Sequence, residues 1–544
     1  MTVAFRVYPF VSLRSLSCQF WRGFSLSSPL LEVNSRTLAL EERAAGQPLT
    51  QAISHVTGLT LLIPFVLLIH GYHPFADDAG IYVAGIRKMM DPSLFTVDAG
   101  FVAAHTRLSI FSHLFAGALQ LFHIPLDLGL IAAYLLSIFA FLRGCFQLSQ
   151  RLFADVQIQW GATLFASTLF TLPVAATALW IMDPYVTARS FSTPFSLFAL
   201  TACMDRDWKR TTVWFLLTAL MHPLMAAYLA AFLLTYIFVS AGRWRRLAAT
   251  CILAFAGCAA IYFATRHAAL PDGYREAALT REYFFLSLWR WYEVMGLIAP
   301  LLLMLIAAFR TRNHAIRNLC VACIATGSTA CAVAACFIHT NGSFFLARIQ
   351  PLRIFQLIYI AGVILLGGFL AKHLRGRRAA LGAALLILVS SLMLLIQKQV
   401  YTTSAHVEWP FVAPSNPWQQ AFLWIRNNTP QNAVFALDSN YTKLGIEDTQ
   451  GFRATAARSA LVDELKDGGV VAIFPQLAPR WKSQRDLEIG LNHISDQERI
   501  ARLQPAGVTW LLLSAGATTQ FACPYRNSAV AICMLPENDR VHRN

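Results

Sequence analysis

The sequence predicts an α-helical polytopic membrane protein that carries a small α/β domain at its carboxyl-terminal end. Three observations predict it. Hydrophobic residues make up 56% of the 544 and charged residues only 13%, with a positive mean hydropathy, the balance of a chain that hides most of its surface from water. Apolar runs of spanning length recur between residues 53 and 397. After residue 400 the composition becomes that of an ordinary soluble domain, with 13 Lys/Arg against 13 Asp/Glu. The formal net charge of +15 therefore sits wholly in residues 1–399. There the basic residues gather in short loops between apolar runs, as the positive-inside rule requires. The excess reports orientation and argues against a nucleic-acid partner.

Residues 1–50 set Arg6, Arg14, Arg22 and Arg36 among apolar and Ser-rich stretches, without an apolar core followed by a small-residue cleavage site. They read equally as a disordered cytoplasmic arm or as the result of an upstream start codon chosen in error, and no function is assigned to them. Residues 51–399 form the transmembrane domain. Crossings are expected near 53–70, 126–142, 160–180, 185–203, 247–265, 293–309, 317–338, 354–372 and 379–397, with Thr211–Ser240 broken by Met221-His222-Pro223 into two short spans or a kinked hairpin. That makes about eleven crossings. The patches Arg143–Arg151, Asp205–Arg210, Arg243–Arg246, Arg310–Arg317 and Arg375–Arg378 then face the cytoplasm with the amino terminus, and the tail lies outside. Arg107–Ile124 is apolar enough to cross, but counting it would turn every later Arg patch outward. It reads as an interfacial or re-entrant helix.

Residues 400–544 are expected to form an extracytoplasmic α/β domain. Glu408–Pro417 is a Pro-rich linker. Asn416-Pro417 suits a helix start, and Trp418–Asn428 reads as that helix. Strands follow at Ala433–Leu437, Val508–Ser514 and Ala529–Leu535, with a helix at Asp496–Leu503. Cys523 and Cys533 are the tail's two cysteines, and a location outside the cytoplasm would permit a disulfide between them.

The acids sort by side. Asp77, Asp78, Asp91, Asp98, Asp183, Asp272, Glu276, Glu282 and Glu293 fall on the outer side or at outer span ends, and none occurs from 294 to 399. A coupled carrier needs an ionisable or unwound site near the midplane, so acids gathered along one face favour a reaction at the membrane surface. Asp77 and Asp78 lie just past the first span, before the helix Ala79–Met90. Either they cap that helix as a solvated pair, or they bind something that offsets their desolvation. Asp183-Pro184 starts the second outer turn, and Arg189 falls about one helical turn inside the next span, where it needs an acid partner such as Asp183, Asp77 or Asp78. The run Phe344–Arg353 sets Arg348 and Arg353 beside aromatic residues at the outer interface, where guanidinium forks suit phosphate oxygens. His339 stands close by in sequence.

A first span followed by Asp77-Asp78, an amphipathic outer helix, a second outer acid at Asp183 and arginines near Gln350-Pro-Leu-Arg353 together resemble the GT-C glycosyltransferase superfamily. The resemblance covers residues 50–400 in layout and a handful of residues in motif. It implies transfer of a sugar from a polyprenyl-phosphate-linked donor to a glycan or lipid acceptor at the outer face. Asp77 or Asp78 would be the catalytic carboxylate, Asp183 the second-loop acid and Arg353 a phosphate contact, with Arg189, Arg348 and His339 beside them as substrate-binding residues. In some members the acids hold a divalent metal (Mg or Mn), which would fall to Asp77 and Asp78 here, but the second outer loop lacks the fuller Asp-x-Asp pattern found in some of these enzymes. The whole chain also looks like uncharacterised bacterial polytopic membrane proteins, which implies the bacterial inner membrane as its location.

Cys320-x-x-Cys323 sits in an apolar span and reads as buried small residues rather than a zinc site. Two other classes compete with the enzyme. A transporter or lipid carrier would use the break at His222-Pro223, and an envelope-assembly scaffold would use the tail surface.

Overall fold

The computed structural model describes residues 53–444 and 449–536; the arm at 1–50 lies outside them. Among the described residues, eight helices are long and apolar enough to cross a membrane: Ile53–His70, Leu126–Leu152, Pro223–Ser240, Trp244–Thr265, Trp291–Arg310, His314–Phe337, Phe344–His373 and Gly376–Val400. Their length fits a hydrocarbon core about 30 Å thick, and the chain is of the helical membrane type. Many keep large apolar side chains on their outer surface, among them Leu61, Leu253, Phe309 and Ile387, each more than 60% exposed. In water such a surface would be an aggregation face, whereas in lipid it is the expected one.

Shorter helices lie between them. Phe111–Leu121 has 11 residues, about 16 Å at 1.5 Å per residue, too short to cross. Trp208–Met221 and Pro223–Ser240 are separate helices, and the His222 side chain caps the second by accepting from the Met225 amide. The apolar stretch near 160–180 departs from expectation. Its helix, Val156–Thr168, stops early, and residues 169–188 form an extended loop with a bridge between Pro173 and Trp180. Polar partners explain why the helix can end there. His70 Nε2 bonds the Ser167 carbonyl at 2.9 Å, His70 Nδ1 meets Thr171 Oγ1 at 2.7 Å, and the Gln356 amide donates to the carbonyls of Trp180 and Ile181 at 3.1 and 3.0 Å. The loop's backbone groups are thus satisfied inside protein.

The Arg-bearing helix ends gather at one end of the bundle. Arg151 pairs with Asp205 at 2.5 Å, Arg375 with Asp155 at 2.5 Å, and the Asn313 amide reaches the Leu152 carbonyl.

The tail carries a five-stranded mixed sheet, β1 Val434–Leu437, β2 Ser459–Ala460, β3 Trp510–Ser514, β4 Tyr525–Arg526 and β5 Val530–Met534. The order is β2-β1-β3-β5-β4, with β1 parallel to β2 and β3, and β5 antiparallel to β3 and β4. Phe422 and Ile425 of helix Pro417–Asn428 pack with Phe435 and Leu512 on one face, while Leu491 and Leu503 pack with Ala436 and Leu511 on the other. Alternation along each strand thus feeds two small cores. Cys523 and Cys533 are joined by a disulfide across a separation of 10 residues. Closing a loop of that size contributes roughly 2–3 kcal/mol. Cys533→Ser should therefore speed amide exchange in β3 and β5 of the intact protein about 30- to 150-fold, as mass spectrometry would read.

Candidate functional site

The first outer loop turns sharply after the span Ile53–His70. Gly71 and Asp77 both take left-handed conformations, at φ 73° and 44°, the first open to Gly and the second more accessible to Asp than to most side chains. The His73 amide donates to the Pro184 carbonyl at 2.9 Å, which draws the second outer loop against the first. Asp78 occupies the N-cap position of helix Ala79–Met90 but makes no capping bond. Its carboxylate turns instead to Arg189, 3.0 Å away. Capping is therefore not what this acid does.

Arg189 is the first residue of helix Arg189–Met204, not one turn inside it, and is 5% exposed. A cation at a helix N-terminus opposes the macrodipole, so acids must hold it. Asp183 does so from the other side, with Nη2 at 3.0 Å and Nε at 3.2 Å from the same carboxylate oxygen. Asp78, Arg189 and Asp183 form one chain of charge, with Arg189 and Asp183 buried and Asp78 half-buried. Burial alone would raise Asp78, but the charges of Arg189, Lys466, Arg353 and Arg281 override it and hold the carboxyl well below the usual range. Burial pushes Asp183 up to about 6, with Arg189 opposing and the Asp78 and Asp77 charges adding to the rise.

Asp77 has different partners. The Tyr185 hydroxyl donates to one of its oxygens at 2.6 Å, and Lys466 forms an ion pair with the other. Lys466 also stands 3.9 Å from Asp78. It comes from the tail, which thus contributes directly to the acid pair. The Asp463 carboxylate positions it by accepting from the amides of Leu465 and Lys466 at 2.7 and 2.9 Å, where helix Lys466–Ile473 begins.

Beyond Asp78 opens a cavity of about 280 Å³. Besides Asp78, its charged lining is Arg189, Arg281, Arg348, Arg353 and Lys466. Arg281 reaches the Leu465 carbonyl, and Gly469 leaves room for it, since a Cβ there would strike the guanidinium. Arg348 donates to the Tyr274 hydroxyl at 3.1 Å and lies over the Tyr274 and Phe345 rings. Arg353 is 8% exposed and lies 5.3 Å from the centre of the Tyr283 ring. Its Nε has no hydrogen-bond partner, and among the described residues no carboxylate pairs with it. The left-handed Gln350 (φ 46°) kinks the chain between Arg348 and Arg353, and Tyr228 holds the kink by donating to the Gln350 carbonyl at 2.9 Å. His105 and His222 also line the cavity; burial pushes His105 down to about 4, so it is neutral at pH 7.

A second, wider recess of about 750 Å³ lies on the Asp77 side, walled by Trp180, Trp289, Tyr283 and Gln450 and sharing Arg281 and Lys466 with the first. The acid pair thus divides two spaces, Asp78 facing one and Asp77 the other.

Of the residues singled out in the sequence, Asp77, Asp78, Asp183, Arg189, Arg348 and Arg353 come together here. His339 does not. It is half-buried in the turn after helix His314–Phe337, its ring 6.3 Å from that of Tyr262 and outside the cavity lining. Nor do Asp77 and Asp78 fit a divalent metal. Lys466 and Arg189 already take up their charge, and no group of three ligating side chains occurs among the described residues. Lys466, Tyr185 and His105 were missed. The run Asp463…Lys466-Asp467-Gly468-Gly469 held the available signal, a helix start with two glycines suited to a close approach. No family model matches the chain, and no curated protein is similar to it.

Proposed function

We propose that the protein is a membrane glycosyltransferase, of the kind its layout resembles, which transfers a sugar from a polyprenyl-phosphate-linked donor to a glycan or lipid acceptor at the outer face. One observation carries the reading: Arg353 presents a buried guanidinium to the cavity without an acid partner among the described residues. A buried unpaired cation costs several kcal/mol, and an anionic ligand removes that cost. Phosphate oxygens fit guanidinium forks. Leu108, Pro223 and Leu224 continue the lining into the apolar helices, where the isoprenoid chain would leave the cavity.

In this reading the acceptor hydroxyl arrives from the wide recess, whose Trp and Tyr walls suit sugar faces. Asp77 takes its proton, the acceptor oxygen bonds the sugar's anomeric carbon, and the bond from that carbon to the phosphate oxygen breaks. The leaving phosphate keeps the electron pair, and Arg281, Arg348 and Arg353 stabilise its growing charge. Asp78 and Asp183 hold Arg189 at the edge of the same cavity. The gathering of Arg151, Asp205, Arg375 and Asp155 at the opposite end supports a cytoplasmic location for that end and an extracytoplasmic tail, with the bacterial inner membrane as the site of action. The carrier reading has less support, because His222 already serves as a helix cap.

Arg353→Ala tests the donor site. Losing charge-assisted hydrogen bonds worth about 1.5–3 kcal/mol should weaken donor binding roughly 10- to 150-fold, measured by titrating purified protein in nanodiscs with a polyprenyl-phosphate sugar. Unchanged affinity would remove the cavity from the donor site.

A further inference from the structure

The charges around the cavity do not balance, and their excess indicates which phosphate linkage fits. Arg189, Arg281, Arg348, Arg353 and Lys466 stand on its wall. Against them are Asp78 on the same wall, Asp77 paired to Lys466, and Asp183 paired to Arg189. Five cations against three carboxylates leave two positive charges. His222 adds none, because its Nδ1 accepts the Met225 amide hydrogen and so carries no proton there.

The excess is also localised. Arg189 and Lys466 spend their charge on the acids, whereas Arg281, Arg348 and Arg353 bond only to a carbonyl, a phenol or an aromatic face. These three come from two stretches of chain that converge on one space. A phosphodiester linking sugar to lipid carries one negative charge and would leave one guanidinium uncompensated in a low-dielectric site. A diphosphate diester carries two and brings a second set of oxygens for the third fork.

We infer that the donor is linked through a diphosphate: the site takes a polyprenyl-diphosphate sugar in preference to a polyprenyl-monophosphate sugar. This rests on the glycosyltransferase reading and goes one step beyond it. The lipid portion is part of the inference, because the cavity runs from the arginines to Leu108, Pro223 and Leu224.

The test uses full-length protein in nanodiscs and a matched pair of short donors, farnesyl phosphoglucose and farnesyl diphosphoglucose, with inorganic diphosphate as a third ligand. The diphosphate donor should bind at least about tenfold tighter than the monophosphate donor. Inorganic diphosphate should compete only at concentrations two or more orders of magnitude higher. Arg348→Gln should reduce the preference to threefold or less, since it lowers the excess to one charge. The comparison on unaltered protein stands even if that variant folds poorly. Equal or tighter binding of the monophosphate donor would overturn this inference and leave the glycosyltransferase reading intact. Inorganic diphosphate binding as tightly as the lipid-linked form would overturn the lipid assignment. Binding of neither donor would overturn both readings.

Discussion

Asp77→Asn should lower glycosyl transfer about a thousandfold while leaving donor affinity within about threefold of wild type. The loss is that of a positioned general base, an effect of roughly 10²–10⁴. Two observations choose Asp77 over its neighbour. Asp78 faces the arginine-lined cavity and is tied to Arg189, whose charge helps hold it well below the usual carboxylate range; a carboxylate so stabilised is a poor proton acceptor. Asp77 faces the wide recess from which an acceptor can approach. The Tyr185 hydroxyl and Lys466 orient its oxygens without sealing it from that recess. Asp78→Asn should give the contrasting result. It frees Arg189 from one of its two acids, so donor affinity changes at least as much as turnover. Single-turnover rates and donor binding measured on both variants separate the two roles. A full-strength Asp77→Asn enzyme would transfer the base to Asp78 or remove it from the mechanism.

Much of this site was legible in the sequence, for reasons that are local. Helix Ala79–Met90 was read with the bounds it has, because its apolar spacing and the preceding acids are contiguous. Arg348 and Arg353 stood out because an outer-interface arginine beside aromatic residues is itself a pattern. What was not legible depends on distance along the chain or on what covers an element. Lys466 meets Asp77 across 389 positions, and no periodicity reports such a contact. The stretch 160–180 misled for a different reason. Hydropathy sees that Leu169–Ile181 is apolar but cannot see that protein covers it, with His70 and Gln356 supplying the polar partners that allow the helix to end at Thr168. His339 was grouped with Arg348 by proximity in sequence, yet the turn Thr340–Ser343 sends it to Tyr262 instead.

Arg189→Met should destabilise the outer half of the protein by about 3–5 kcal/mol, the usual cost of removing one partner from a buried ion pair. Met matches the length of the arginine stem, so the loss is of charge more than of volume. The damage should depend on pH in a set direction. In wild type the folded Asp183 already holds its proton up to about pH 6 because burial outweighs Arg189, whereas Asp78 stays ionised. Without Arg189 the buried Asp183 and the half-buried Asp78 both lose compensating charge, and both shift toward the protonated form in the folded state. A folded state that binds more protons than the unfolded one loses stability as pH rises through the interval between the two pKa values. The variant's deficit should therefore be large at pH 8 and shrink toward pH 5, where protonation neutralises the acids. Asp183→Asn in the same background should recover part of the loss at pH 8, because it removes one of the two stranded charges. Thermal unfolding in detergent at both pH values measures all three. A deficit equal at pH 5 and pH 8 would mean that Arg189 acts through packing, and that the chain of Asp78, Arg189 and Asp183 is not what joins the first outer loop to the second.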